Sequence, residues 1–192
     1  MSFVALLDSC VLLPYQLCDL LLRLAETGLY RPLWSDEILT EVERNLVESF
    51  HRNPQQAQRR VDQMRAAFPL ANVDSYEDLT PAMANHPKDR HVLAAAVRGG
   101  AAAIVTANLK DFPPIALSRY EIEAVHPDAF LLDQLDLDPR CVVQCLTEQR
   151  VAYTRPNLTT PEFFRTLRQT VPEFADRVEA QEIAPSSPGI PL

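Results

Sequence analysis

Two short apolar runs, each followed directly by polar residues, constrain the fold of this 192-residue chain more than any other feature. The first run covers 3–7 and ends at Asp8, and the second covers 102–105 and is followed by Thr106 and Asn108. Their length and composition are typical of buried strands. Helical patterns separate them, so the sequence predicts an α/β fold with a central, mostly parallel sheet flanked by helices.

Turn and cap residues between the apolar runs place the remaining elements. Further strands are predicted at 31–34 and 122–125, and helices at 14–26, 36–52, 54–68, 88–98 and 127–132. The alternation of strands and helices stops after Leu135. We therefore expect an α/β domain at 1–135, a C-terminal helical extension at 136–183 and a disordered tail at 184–192.

Apolar residues of the C-terminal extension recur at helical spacing, so they should pack on something. These residues are Val142, Val143, Leu146, Phe163, Phe164 and Leu167. Packing on the domain's own helices is the favoured interpretation. The alternative is a groove or dimer surface that receives a segment of a partner protein.

The composition is that of a soluble globular protein. No apolar stretch is long enough to cross a bilayer, and the N-terminus lacks the features of a secretory signal, so a cytoplasmic protein is expected. The four cysteines provide no disulfide framework and are expected to be reduced thiols. A net charge of −8 argues against broad nucleic-acid binding but is compatible with a local basic groove.

Carboxylates in distinctive local contexts are the candidate functional residues. Asp8 ends the first apolar run, Asp89 opens a predicted helix, and Asp111 follows the second run. The carboxyl ends of parallel strands are where an open α/β sheet places its site. Several converging carboxylates cannot all stay ionised without a cation, and oxygen ligands favour Mg²⁺ or Mn²⁺. Each residue alone could be only a helix cap, but together they indicate metal-assisted phosphoryl chemistry.

Two further positions on predicted helices carry ionisable side chains that need separate interpretation. Glu41 and Glu43 lie on opposite flanks of the apolar stripe of their helix, so amphipathicity cannot choose between them. His91 is interpreted as a helix-surface residue rather than a catalyst. Glycine-rich phosphate loops, a nucleophilic serine elbow and the histidine spacing of zinc proteases do not occur in the sequence.

At this point the pattern resembles the PIN domain nucleases, in particular the VapC-like toxins of bacterial toxin–antitoxin pairs. The resemblance covers roughly 3–132, and its most specific stretches are 34–42, 86–96 and 104–113. It implies a three-layer sandwich and Mg²⁺- or Mn²⁺-dependent hydrolysis of RNA phosphodiester bonds. The chain departs from the usual first motif, because Cys10 stands where the family commonly has Asn.

The resemblance also implies roles for individual residues. The acidic quartet would be Asp8, Glu41, Asp89 and Asp111, with Thr106 and Asn108 as polar support and Arg90 and Lys110 as candidate contacts to RNA phosphates. Among the acids, Asp8, Asp89 and Asp111 would be the direct metal ligands. The spacing from Ser35 is what favours Glu41 over Glu43.

RNA and an antitoxin protein are the partners that the resemblance implies, and a homodimer is compatible with it. The competing function is a non-catalytic PIN-like module that acts only through a protein partner. A metal-dependent DNA nuclease that acts on flaps ranks lower, because it would need a more basic surface and a longer chain.

Overall fold

Four short strands form one parallel sheet in the computed structural model, which describes residues 3–154 and 158–183. They are β1 (Val4–Leu7), β2 (Arg31–Leu33), β3 (Ala103–Val105) and β4 (Glu123–Val125), in the order β2-β1-β3-β4. Leu6 pairs with Leu33 on one side and with Ile104 on the other. All residues of the two central strands are buried except Val4, which is half-buried, because both faces of the parallel sheet are covered, and this explains the continuous apolar runs.

The strand order places a topological switch point between β1 and β3. The chain moves from β1 outward to β2, then returns to the other side of β1 through β3 and β4. Connections on either side of such a point leave a crevice beyond the carboxyl ends of the strands, where open α/β sheets bind ligands. Asp8 and Thr106 are the first residues after these two strands.

Helices surround the sheet, as the sequence predicts. They are α1 (Ser9–Leu12), α2 (Tyr15–Glu26), α3 (Asp36–Glu48), α4 (Pro54–Ala67), α5 (Arg90–Gly99), α6 (Pro114–Leu117), α7 (Pro127–Leu137), α8 (Pro139–Ala152), α9 (Thr160–Leu167) and α10 (Pro172–Ile183). Side chains cap the N-termini of two of these helices: Ser35 accepts a hydrogen bond from the Ile38 N–H at the start of α3, and Asn53 accepts one from the Gln55 N–H at the start of α4.

Four elements differ from the prediction by more than two residues: α3 ends at Glu48 rather than at 52, α6 was not expected, and α1 and α7 also differ. The short helix α1 was not expected, because its four residues lie between Asp8 and the next predicted helix and have no period of their own. The helix predicted at 127–132 continues to Leu137, since its buried side chains Phe130, Leu131 and Leu135 extend the contact with the core. Because α7 runs across residue 135, the division of the chain at that position stays a proposal.

The C-terminal helices complete the core of the same unit. Five of the six predicted apolar positions are fully buried, and Val143 packs partly buried against them. Buried glutamines add polar links: the Gln16 side-chain amide donates to the Phe163 carbonyl at 3.1 Å, and that of Gln149 donates to the Gln16 carbonyl at 2.7 Å. The favoured interpretation, packing on the chain's own helices, is therefore confirmed.

No helix in the described part of the chain is long and apolar enough to cross a membrane. The predicted disordered tail at 184–192 lies outside the described residues.

A buried carboxylate on α7 accepts hydrogen bonds from the backbone of α10. Asp128 accepts hydrogen bonds from the backbone N–H groups of Glu173, at 3.0 Å, and Phe174, at 2.8 Å. Both donors belong to the first turn of α10, where unpaired N–H groups and the helix dipole favour a negative charge. A second carboxylate of α7, Asp136, pairs with Arg177 at the surface.

We predict that Asp128→Ala lowers the free energy of unfolding by about 1.5–3 kcal/mol, the range for a hydrogen bond to a charged group. Urea denaturation would measure it. The matched control is Asp136→Ala, which removes an exposed ion pair between the same two helices and should cost only about 0–1 kcal/mol. An equal decrease in the free energy of unfolding in the two variants would contradict the proposed stabilising role of the Asp128 hydrogen bonds.

Candidate metal centre

Asp8 is held at the switch point by contacts from β3. Its backbone N–H donates to the Val105 carbonyl at 3.1 Å, so the chain is still paired with β3 after β1 ends. The Thr106 hydroxyl donates to Asp8 Oδ2 at 2.6 Å, and both side chains are buried. A carboxylate with one oxygen fixed in this way keeps a defined orientation and leaves its remaining lone pairs for another ligand.

Cys10 belongs to the same network. It stands at the position where the PIN domain nucleases, which the sequence resembles, commonly have Asn. Its sulfur lies 3.2 Å from Asp8 Oδ2 and 3.4 Å from Thr106 Oγ1, and it accepts a hydrogen bond from the Ala107 N–H. Burial, and then the negative charge of Asp8, raise the pKa of the Cys10 thiol to about 12. The thiol is therefore neutral and acts as a weak donor that supports the orientation of Asp8.

Asp89 and Asp111 approach each other from two short 3₁₀ turns, Pro87–Asp89 and Leu109–Asp111. The His86 N–H donates to the Asp111 carbonyl at 3.0 Å, which ties the turns together. Ligand atoms of His86, Asp89 and Asp111 all lie within 4.8 Å of one another. Burial raises the pKa of Asp89, and the negative charges of Asp8 and Asp111 raise it further, so these three carboxylates share one electrostatic environment.

Glu41, rather than Glu43, faces this group from α3. Burial is the main cause that raises the pKa of Glu41, and the charge of Asp8 adds to it, while His91 and a hydrogen bond from Ser9 act in the opposite direction. Within the described part of the chain, Glu43 makes no hydrogen bond or ion pair with these carboxylates. The structure thus separates two residues that the amphipathic pattern of α3 left equivalent.

His91 is buried, so its interpretation as a helix-surface residue was wrong. Its side chain is 7% exposed, with Nε2 at 3.5 Å from Glu41 Oε1 and Nδ1 at 4.0 Å from Glu37 Oε1. Nε2 has no hydrogen-bond partner among the described residues. The ring lies beside two carboxylates of α3, a contact between helices that the helical pattern of α5 alone does not reveal. The one available signal was its position two residues after Asp89.

The remaining predicted residues lie around the acidic group. Asn108 acts through its backbone: its N–H donates to Thr106 Oγ1 at 3.1 Å, its carbonyl accepts from the Asp111 N–H, and its side chain is exposed. Lys110, in the turn that carries Asp111, is exposed, whereas Arg90 is half-buried, and its Nε has no hydrogen-bond partner in the described part of the chain. His86 is the member of the cluster that the sequence analysis did not select.

The donor set fits a divalent cation. Carboxylate oxygens predominate, the approach of Asp89 and Asp111 is short enough for shared ligation, and both side chains are partly open to solvent. Carboxylates are the ligands that Mg²⁺ and Mn²⁺ prefer, and the positive charge of a bound cation would oppose both the burial and the repulsion by Asp8 and Asp111 that raise the pKa of Asp89. The described residues therefore include an acidic cluster that could bind a divalent metal ion.

Comparisons with known proteins agree with this geometry. A family model described as "PIN domain" matches residues 4–110, and one described as "VapC50 C-terminal domain" matches residues 127–180. The second match covers helices that the sequence analysis placed beyond the resemblance. No solved structure matches the chain significantly.

A Mycobacterium tuberculosis protein named "Putative ribonuclease VapC50" is 50% identical to this chain over 111 residues, which cover 58% of this chain and 64% of that protein. The chain therefore spans slightly less than two thirds of the length of this curated relative. The family model for the PIN domain covers more than half of the chain, including Asp8, Glu41 and Asp89. The chain belongs to the PIN domain family, and its C-terminal helices match the VapC50 C-terminal domain.

Proposed function

We propose that this protein is an endoribonuclease that hydrolyses RNA phosphodiester bonds with the help of Mg²⁺ or Mn²⁺, and that it is the toxin of a toxin–antitoxin pair. One observation carries the proposal: ligand oxygens of two carboxylates, Asp89 and Asp111, lie within 4.8 Å of each other in this PIN domain, and burial and the charge of Asp8 raise the pKa of both Asp89 and Glu41, so that four carboxylates share one electrostatic environment. They are Asp8, Glu41, Asp89 and Asp111. Asp8, Asp89 and Asp111 are the proposed metal ligands.

The supporting residues give Asp8 a fixed place in this arrangement. The Thr106 hydroxyl and the Cys10 thiol both contact Oδ2, and so hold the carboxylate against rotation. Asp89 and Asp111 are more exposed and can close around a cation. When bound, a divalent cation would lower the pKa of water and neutralise charge that develops on the phosphate oxygens.

Glu41 has a different proposed role, as a base that orients water. It is half-buried, and its raised pKa makes it a better proton acceptor than an exposed carboxylate. The neighbouring His91 would hold Glu41 in place from the helix α5. General bases in this position need a defined orientation more than a large pKa shift.

RNA would approach along the exposed edge of the acidic group. Lys88 and Lys110 are exposed and lie next to Asp89 and Asp111 in the two 3₁₀ turns, and Arg90 follows Asp89 directly. Basic side chains at this rim would contact phosphates without requiring a basic surface elsewhere, which fits the net charge of −8. The antitoxin and a second copy of the chain remain the proposed protein partners. The proposed location of the protein is the cytoplasm.

The acidic group should lower the stability of the folded protein when no metal ion is bound. Because the pKa of Asp89 is raised on folding, its contribution to stability is present below the unfolded pKa of about 3.9 and is lost as pH rises through the folded pKa. Asp89→Asn should therefore raise the melting temperature of the metal-free protein near neutral pH. The gain should shrink as pH falls through the folded pKa and vanish below about pH 3, where the carboxyl is protonated in both states.

Differential scanning calorimetry of the two proteins across this pH range measures the effect. Asp78→Asn is the matched control of opposite sign, because its hydrogen bond from Arg98, at 2.6 Å, lowers the pKa of Asp78. That variant should not gain stability near neutral pH. Adding Mn²⁺ or Mg²⁺ should stabilise the wild-type protein more than the Asp89→Asn protein. An unchanged melting temperature on addition of both ions at millimolar concentration would argue against the metal centre.

The catalytic prediction concerns the same substitution. Loss of an outer-shell partner costs about 10–100-fold in activity at metal sites, so removal of a direct ligand by Asp89→Asn or Asp111→Asn should cost at least about 100-fold. The substrates would be a labelled mixed-sequence RNA oligonucleotide and a tRNA mixture, with cleavage followed on denaturing gels. Asp136→Asn, in the surface ion pair on α7, is the control that should retain activity.

Cleavage that persists in EDTA, or equally in the Asp89→Asn protein, would contradict the proposal. Metal binding without cleavage of any of these RNAs, combined with tight binding of an antitoxin, would favour the non-catalytic module instead.

A further inference from the structure

His86 lies among the candidate metal ligands, although it is not one of the four acids. One of its ring nitrogens is within 4.8 Å of ligand oxygens of both Asp89 and Asp111, and Nδ1 is 3.4 Å from Asp89 Oδ2. The side chain is 45% exposed, so the ring has room to move towards a cation. The three donors combine two carboxylates with one imidazole.

The backbone holds His86 and both aspartates in this arrangement. The His86 N–H is bonded to the Asp111 carbonyl, and the Asn85 side-chain amide donates to the Asp89 carbonyl at 2.9 Å. Asn85 itself is 3% exposed, so it fixes the turn from the buried side. The proximity of the three side chains therefore follows from the fold of the two turns.

A simpler role for His86 is that of a helix cap, and the chain contains a direct comparison. His86 Nδ1 accepts from the Lys88 N–H at 3.4 Å, and His126, also followed by proline, accepts from the Asp128 N–H at 3.3 Å. Both bonds are long for this type of contact, so neither ring is firmly held by the cap. The carboxylate of Asp128 is already bonded to the start of α10. Within 3–154 and 158–183, no backbone N–H group donates to the carboxylates of Asp89 and Asp111 beside His86.

We propose that His86 is a nitrogen ligand of the divalent cation held by Asp89 and Asp111, and that it makes the centre prefer Mn²⁺ and later first-row cations over Mg²⁺. Mg²⁺ is bound through oxygen and keeps several waters, so an imidazole adds little to its affinity. First-row transition cations accept imidazole nitrogen readily, and their affinity for mixed N/O sites rises along the series from Mn²⁺. This inference rests on the proposed function, because it concerns the metal of the same centre.

The test compares the affinities of the full chain for Mg²⁺, Mn²⁺ and Co²⁺, measured by isothermal titration calorimetry. His86→Asn removes the imidazole but keeps a residue that is favoured at helix N-caps. The matched control is His126→Asn, which makes the same exchange at the same position of an equivalent motif. Melting temperatures of the metal-free variants establish that both fold.

His86→Asn should weaken binding of Mn²⁺ and Co²⁺ at least about tenfold, since even outer-shell changes cost that much, while Mg²⁺ affinity changes far less. His126→Asn should alter none of the three. Pulsed electron paramagnetic resonance of the Mn²⁺-loaded protein provides a readout independent of affinity. A nitrogen hyperfine coupling in the wild type and in His126→Asn, absent from His86→Asn, would identify the imidazole as a ligand.

Two outcomes overturn the inference in distinguishable ways. If the wild type binds Mn²⁺ but His86→Asn retains both its affinity and the nitrogen coupling, His86 is only a cap and the proposed nuclease function is unaffected. If the wild type binds none of the three cations, the metal centre itself is absent and both proposals fail.

Discussion

The hydrogen bond between Thr106 and Asp8 connects the two central strands at the point on which the site depends. It is short, 2.6 Å, and buried, and it lies directly beyond the backbone bond from Asp8 to Val105. A bond to a charged acceptor in a buried position is among the stronger polar contacts in a protein. Through it, the pairing of β1 with β3 determines where the first carboxylate of the group points. Asp89, Asp111 and Glu41 then approach from separate elements.

The cost of this arrangement is electrostatic. Burial and the negative charge of Asp8 raise the pKa of Asp89 and Glu41, because the ionised form of each carboxyl is destabilised in this environment. The C-terminal helices offset such a cost by extending the core, with Phe163, Phe164 and Leu167 fully buried. Stability and site are therefore supplied by different parts of one folded unit.

The sequence predicts the sheet well because its signal is local. A buried parallel strand needs a short apolar run, and the runs before Asp8 and Thr106 identify the central strands without knowledge of their neighbours. The sequence predicts less well the environment of residues that depends on packing between helices. Glu41 and Glu43 differ only in what α3 faces, and His91 was misjudged because its cover comes from another helix. His86 was overlooked, since its proximity to Asp111 depends on two turns that are distant in sequence.

The parallel pairing of β1 with β3 has a consequence for biosynthesis. β1 comprises Val4–Leu7 and is synthesised well before its partner, Ala103–Val105, which leaves the ribosome only after β2 and the helices between the two strands have been translated. Until then Asp8 has neither the Val105 carbonyl nor the Thr106 hydroxyl to hold it. A nascent chain therefore carries the first acid long before it can carry the assembled group. Any hydrolytic activity would begin only when the second half of the sheet has been synthesised and paired.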